Sequence, residues 1–137
     1  MTQILLTGGT GFVGSKVLLH DFFKGAIAAL RVRPRIKCNY KIIDFADDEN
    51  VWKALQNVDV VIHAAAYAHE NLSVFSPHLI CSNIIGGSTS VFSAAIQNKV
   101  KRIVFCSSIA RYGEVPIPYI ETGPTKPSDP YGISKLA

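Results

Sequence analysis

The chain contains little cysteine, little charge and no long apolar run, and each shortage excludes a class of protein. Its three cysteines are widely spaced and form no C-x-x-C pair, which argues against a disulfide framework or a zinc site and favours a reducing cytoplasm. No apolar run approaches the roughly 20 residues that cross a bilayer. The N-terminus has no basic segment followed by an apolar stretch, so neither a membrane location nor secretion is expected.

Low charge combines with high apolar content to predict a folded core. Only 18% of the 137 residues are charged and 48% are apolar, a composition that argues against disorder. No internal repeat or low-complexity tract is present, and the length suits one domain. We therefore expect a single domain over residues 1–137.

The net charge of +4 is concentrated in one basic cluster. Five cationic residues fall within eleven positions: Arg31, Arg33, Arg35, Lys37 and Lys41. Tyr40 is the single aromatic residue among them and forms no stacking platform for bases, so we expect no nucleic-acid partner. The cluster is interpreted either as a solvated strand end and loop or as a local anion site for a cofactor phosphate.

Short β-rich apolar runs alternate with longer helical segments along the chain. Strands are predicted at residues 3–6, 26–32, 40–43, 58–64 and 102–106, and helices at 12–23, 47–56, 77–98 and from about 128. In the second helix, Val51, Trp52 and Leu55 are expected in the core. This alternation predicts an α/β fold, a doubly wound parallel sheet of Rossmann type with strand order 3-2-1-4-5.

A glycine-rich turn joins the first strand to the first helix, with the sequence T-G-G-T-G-F-V-G from Thr7 to Gly14. Gly8 permits a tight turn, Gly11 permits close approach of a pyrophosphate, and Gly14 permits the helix to pack near the sheet. The N-terminus of the helix then faces the phosphates. The turn predicts a dinucleotide site.

Near the other end, Tyr131 and Lys135 are four residues apart, one turn of a helix. An ammonium group beside a phenol favours the phenolate, which is the form that accepts a proton. Together with the glycine turn, the pair predicts hydride-transfer chemistry on a nicotinamide.

Several motifs in order resemble the extended short-chain dehydrogenases/reductases, the group that contains sugar-nucleotide epimerases and dehydratases. The T-G-x-x-G-x-x-G spacing is accompanied by Asp44-Phe45, by D-V-V-I-H-A-A-A over residues 59–66, by Asn83 with Gly86, and by Cys106-Ser107-Ser108 with Tyr112-Gly113. The resemblance covers the whole chain and implies an NAD(P)-dependent enzyme acting on a nucleotide sugar, with no metal.

The resemblance also implies residue roles. Tyr131 is the expected acid/base, Lys135 assists it and bonds the nicotinamide ribose, and Ser108 hydrogen-bonds the reacting substrate oxygen. The residues expected to bind the cofactor are Gly8, Gly11, Phe12, Val13, Gly14, Arg31, Arg33, Asp44, Phe45, Ala64, Ala65, Ala66, Asn83, Tyr131 and Lys135. His63 is interpreted as a packed, hydrogen-bonded histidine rather than a general base.

One departure from the family pattern concerns the cofactor. Many members end strand two with an acid that bonds the adenine ribose, and here the segment A-L-R-V-R contains none. Arg31 or Arg33 is then available for a 2′-phosphate, and the alternative is that both face solvent. The choice between NAD and NADP therefore stays open.

A second departure is the length. The resemblance implies further C-terminal strands and a substrate domain, so the chain is expected to be an N-terminal portion of a full-length parent that forms a homodimer through residues 77–98. By itself the chain is expected to bind cofactor weakly, to show no turnover and to be poorly soluble. The alternatives are a non-catalytic NAD(P)-binding module and an inactive truncated remnant.

Overall fold

The computed structural model describes residues 2–31 and 38–137. Two compact units make up the chain. The first, here called the sheet unit, comprises Met1–Ala66 and Gly87–Cys106. The second, here called the helical unit, comprises Tyr67–Gly86 and Ser107–Ala137.

The sheet unit contains five parallel strands. They are β1 (Ile4–Thr7), β2 (Ile27–Leu30), β3 (Asn39–Ile42), β4 (Val60–His63) and β5 (Arg102–Phe105). The strand order is β3-β2-β1-β4-β5, and every neighbouring pair is parallel. The predicted α/β fold and strand order are confirmed, with each strand boundary within two residues among those described.

The main core of the sheet unit lies on the sheet face that Leu5, Ala29 and Val61 share. These residues are in register or two positions apart on adjacent strands, so they point to the same side. Two helices cover that side, α2 (Asp48–Ala54) and α5 (Gly87–Gln97), and both contribute buried residues to the cluster. The Asp47 side chain caps α2, but Trp52 is 37% exposed, so its assignment to the core was wrong.

Helix α1 (Phe12–Leu19) is shorter than expected. His20 adopts an extended conformation, with φ −79° and ψ 133°, and its ring accepts a hydrogen bond from the Phe22 amide. A short 3₁₀ turn, Asp21–Phe23, follows. The apolar pattern to residue 23 therefore predicted one helix where the chain makes a helix and a separate turn.

The helical unit is built from short elements. They are α3 (Glu70–Phe75), α4 (Pro77–Cys81), a π-helical turn (Ser82–Gly86), a 3₁₀ turn (Ile109–Arg111) and α6 (Pro130–Leu136). Helix α3 has no counterpart in the sequence-based prediction. The proline-rich residues 113–129 form neither helix nor strand.

Pro77–Gln97 is one continuous helical stretch that includes the π-helical turn, so the helix predicted over residues 77–98 is confirmed. Within the described residues, it alone is long and apolar enough to cross a membrane by length and composition. That test is weak support for a membrane span, since the core helix of a globular protein also passes it.

Candidate functional site

The turn between β1 and α1 has a shape that only glycine permits at two positions. Gly8 has a φ of +75°, and its carbonyl oxygen accepts a hydrogen bond from the Gly11 amide at 2.9 Å. A Cβ on Gly14 would overlap the carbonyl oxygen of Gly8. The first turn of α1 therefore lies directly against the glycine turn, as its spacing predicted.

The N-terminus of α1 has no side-chain cap. Gly11 is the residue at the N-cap position, and no side chain there accepts a hydrogen bond from the helix. The next two residues, Phe12 and Val13, are 84% and 55% exposed. Helix N-termini carry unpaired amides and a partial positive charge. This arrangement fits a pyrophosphate approaching the turn.

The loop after β4 passes over the same turn. A Cβ on Gly8 would lie 2.7 Å from the Ala65 nitrogen and 2.8 Å from the Ala64 carbonyl carbon, so the two backbones touch. Because β1 and β4 are adjacent and parallel, their carboxyl ends meet at one edge of the sheet. Ligands of such sheets bind at that edge. Ala66, the next residue, is exposed.

Other predicted cofactor residues of the sheet unit follow β2 and β3. Asp44 is exposed, and its Oδ1 accepts a hydrogen bond from the Ala46 amide at 3.0 Å. Phe45 is half-buried against the core. Arg31 is exposed directly after β2, and Arg33 lies outside the described residues.

Helix α6 carries the predicted proton-transfer pair. Lys135 is only 6% exposed, whereas Tyr131 is half-buried. The helix begins with Pro130, and the Asp129 carboxylate accepts a hydrogen bond from the Gly132 amide at 2.9 Å. An Asp at the N-cap and a Pro at the first helical position both favour a helix start. The pair is therefore held one turn apart on a capped helix.

Ser108 belongs to the same unit and caps the neighbouring 3₁₀ turn. Its Oγ accepts a hydrogen bond from the Ala110 amide at 3.2 Å. A Cβ on Gly132 would lie 2.6 Å from the Ala110 carbonyl oxygen, so this turn packs directly against the first turn of α6. The structure thus brings the turn that follows Ser108 against the residue next to Tyr131.

Asn83 lies in the π-helical turn and uses its side-chain amide locally. Its Nδ2 donates to the Leu79 carbonyl oxygen at 2.8 Å. Its expected contact with a cofactor stays a prediction. Turns of π-helix occur often at functional sites, but no pattern in the sequence indicated this one.

Sequence reasoning also missed how α6 is tied to α3. Ser73 is fully buried, and its Oγ donates to the Glu70 carbonyl oxygen at 2.5 Å and lies 3.3 Å from the Asp129 carboxylate, a second acceptor. Little in the sequence indicated this contact, since a single serine in a polar segment is rarely informative. The expectation that His63 is packed and hydrogen-bonded is confirmed, because the ring is 3% exposed and both nitrogens have hydroxyl partners.

The parallel sheet, its strand order and the glycine turn at its carboxyl edge define a Rossmann-type nucleotide-binding fold. The family model described as the NAD dependent epimerase/dehydratase family matches residues 4–137. The chain belongs to this family.

Curated relatives and solved structures are similar over almost the whole chain. A UDP-glucose 4-epimerase of Streptomyces lividans is 33% identical over 147 aligned positions, covering 98% of the chain. The UDP-glucose 4-epimerase of Thermotoga maritima, solved with UDP-glucose, is 30% identical, with a TM-score of 0.87 and 98% coverage. That of Thermus thermophilus, solved with NAD, is 31% identical, also with a TM-score of 0.87 and 98% coverage.

The chain spans less than half the length of these relatives. It covers 45% of the Streptomyces protein and 48% of each of the two solved chains. The similarity therefore concerns the part of the relatives that corresponds to the sheet and helical units.

Proposed function

We propose that the chain carries the cofactor-binding and proton-transfer residues of an epimerase or dehydratase that acts on a nucleotide sugar. One observation supports it above others: α6 holds Tyr131 one turn from the buried Lys135 and packs against the turn capped by Ser108. The relatives, named as UDP-glucose 4-epimerases, suggest a UDP-sugar as the substrate class.

The sheet unit supplies the cofactor residues. The glycine turn and the uncapped N-terminus of α1 receive the pyrophosphate, and Asp44 and Phe45 lie beside the adenine. The loop Ala64–Ala66 lines the site from the end of β4. When bound, the nicotinamide supplies the hydride acceptor and donor for the sugar carbon.

The helical unit supplies the proton transfer. Tyr131 takes the proton from the sugar hydroxyl whose carbon loses the hydride, and returns it later. The charge of the Lys135 ammonium assists this proton transfer. A lysine with so little exposure acts with little screening by water. Ser108 donates a hydrogen bond to the same sugar oxygen and orients it.

Either NAD or NADP is proposed as the cofactor. The Thermus relative was solved with NAD, whereas the exposed Arg31 at the end of β2 offers a charge for a 2′-phosphate. Titration of the chain with both dinucleotides decides between them. Replacing Arg31 by Ala should weaken NADP binding by about tenfold if the guanidinium bonds the phosphate, and leave NAD binding unchanged.

The function is tested by product analysis in the complete protein with UDP-glucose, following its C4 epimer. Tyr131→Phe should lower turnover by at least about 100-fold, the usual contribution of a general acid–base group, while cofactor binding is retained. Tyr119→Phe is the matched control, since it removes a phenol of the same unit that is stacked on Tyr112. Near-normal turnover by Tyr131→Phe contradicts the assignment.

Three wider predictions stay part of this proposal. They are that the complete protein is a homodimer, that residues 1–137 form a single domain within it, and that it resides in the cytoplasm. Size-exclusion chromatography with light scattering measures the first.

A further inference from the structure

A buried chain of polar side chains links the ends of two strands to helix α5. Thr7, the last residue of β1, has its Oγ1 2.6 Å from Nδ1 of His63, the last residue of β4. His63 Nε2 lies 3.0 Å from Oγ of Ser88, the second residue of α5. Thr7, His63 and Ser88 are 0%, 3% and 8% exposed. All three belong to the sheet unit.

One end of this chain reaches the glycine turn. The Ala65 amide donates to Thr7 Oγ1 at 3.0 Å. The same nitrogen lies 2.7 Å from the position that a Cβ on Gly8 would occupy. The Thr7 hydroxyl therefore holds the loop after β4 at the point where it contacts the glycine turn.

Two aromatic rings fix the orientation of the imidazole. The Phe105 ring is stacked on His63 with centroids 5.8 Å apart and an interplanar angle of 22°, and the Phe92 ring meets it edge-on at 5.7 Å. Hydroxyl groups both donate and accept, so either neutral tautomer of His63 satisfies both nitrogens. The ring can thus neither turn nor leave its two partners without losing buried hydrogen bonds.

We propose that His63 is a positioning residue for the dinucleotide: through Thr7 it sets the place of the Ala65 amide against Gly8, and Ser88 anchors the ring from α5. The proposal rests on the proposed function. A buried apolar residue in place of His63 would fill the space but leave the Thr7 hydroxyl free to turn. The loop would then lose its fixed position, and the site would have to be ordered when the cofactor binds.

The test compares NAD and NADP affinities of four variants of the chain by calorimetric titration, at a temperature where circular dichroism shows each to be folded. His63→Leu removes both hydrogen bonds, and we expect about tenfold weaker affinity, the effect of one lost buried hydrogen bond on the loop. In His63→Asn the side-chain amide reaches the position of Nδ1 but not of Nε2. Affinity should recover to within about threefold of the wild-type value.

Two further variants separate positioning from stability. Ser88→Ala removes only the distant hydrogen bond, and should weaken affinity by about threefold without disturbing the fold. Val51→Ala deletes methyl groups from the core in α2, where the side chain is fully buried. It should lower the midpoint of thermal unfolding while leaving the affinity unchanged.

Equal affinity in His63→Leu and the wild type overturns the positioning role alone, as does an equal loss in Val51→Ala. If the wild-type chain binds neither dinucleotide, the proposed function fails and this inference fails with it. Hydrogen exchange of the Ala65 amide in the ligand-free chain gives a separate readout. Faster exchange in His63→Leu than in Val51→Ala supports the role, and equal exchange contradicts it.

Discussion

The two units of the chain fix their candidate residues by different means. In the sheet unit, the glycine turn is shaped by backbone: Gly8 has a positive φ, and Gly14 in the first turn of α1 has no room for a Cβ. In the helical unit, Tyr131 and Ser108 are placed by short elements that side chains cap, with Asp129 and Ser108 as the capping groups. We therefore expect an added atom to lower the free energy of unfolding strongly in the sheet unit. A removed hydrogen bond should lower it only moderately in the helical unit.

The largest expected effect comes from adding one methyl group beside the glycine turn. Gly14→Ala places a Cβ on the carbonyl oxygen of Gly8, which is backbone and cannot swing aside. The gain in helix propensity, about 1 kcal/mol, is outweighed by overpacking. We expect the free energy of unfolding to fall by about 3 kcal/mol in urea denaturation, with loss of dinucleotide binding.

Gly86→Ala is the matched control in the helical unit. Outside its own helical turn, no atom lies within 4 Å of the position where its Cβ would be, and its φ is not positive. The variant should be neutral or more stable by up to about 1 kcal/mol. A Gly14→Ala chain as stable as Gly86→Ala would show that the glycine turn yields, and that the contrast between the units is wrong.

The next effect, in the helical unit, is smaller and graded. Asp129→Ala removes the acceptor for the Gly132 amide and the longer of the two contacts of the buried Ser73 hydroxyl, which keeps its hydrogen bond to the Glu70 carbonyl oxygen. Loss of an N-cap costs about 1 kcal/mol. Because α6 has only seven residues, loss of its N-cap should let its first turn open more often. We therefore also expect the Gly132 amide of this variant to exchange faster with solvent.

Asp129→Asn provides the control for charge, because Asn caps helices about as well as Asp. It should retain most of the stability that Asp129→Ala loses. If the two variants are equally destabilised in urea denaturation, the carboxylate charge rather than the capping geometry holds α6.

Most of the sheet unit was predictable from sequence because its signals are local and repeated. Strands β1, β2 and β4 are short apolar runs, and in a parallel sheet such runs are buried on both faces. The spacing of the glycines in the sequence was sufficient to locate the turn between β1 and α1. The end of α1 was missed because apolar residues continue past Leu19, while His20 leaves the helix to accept a hydrogen bond from Phe22.

Less of the candidate site could be predicted. Spacing gave the pairing of Tyr131 with Lys135, since it depends on one helical turn. It could not give the contact of Gly132 with Ala110 or of Asp129 with Ser73, because these residues are 22 and 56 positions apart and no periodicity links them. Likewise, helical spacing placed Trp52 near the core without showing which side of α2 the neighbouring helix covers.

The smallest expected effect tests whether surface charge adds anything to the backbone-determined sheet unit. Asp59 precedes β4, and its carboxylate accepts hydrogen bonds from the Gln3 amide at 2.8 Å and pairs with the Lys101 ammonium at 2.7 Å. These two contacts, the Lys101 hydrogen bond first, hold the pKa of Asp59 below its ordinary value. The carboxylate thus joins the starts of β1, β4 and β5.

A lowered pKa in the folded state stabilises the protein above the ordinary carboxyl pKa of about 3.9, and this contribution disappears as pH falls through the folded value. Asp59→Asn keeps an oxygen acceptor for Gln3 but loses the charge. Its thermal midpoint should lie slightly below wild type at pH 7, and the gap should close in acid, as the pH falls below the ordinary carboxyl pKa and through the lowered pKa of the folded state. Asp21→Asn removes an ion pair with Lys24 in which both side chains are exposed. Its thermal midpoint should equal that of the wild type at neutral and at acid pH. A gap for Asp59→Asn that widens in acid would mean that the folded chain binds the proton more readily than the unfolded chain, opposite to what the two contacts require.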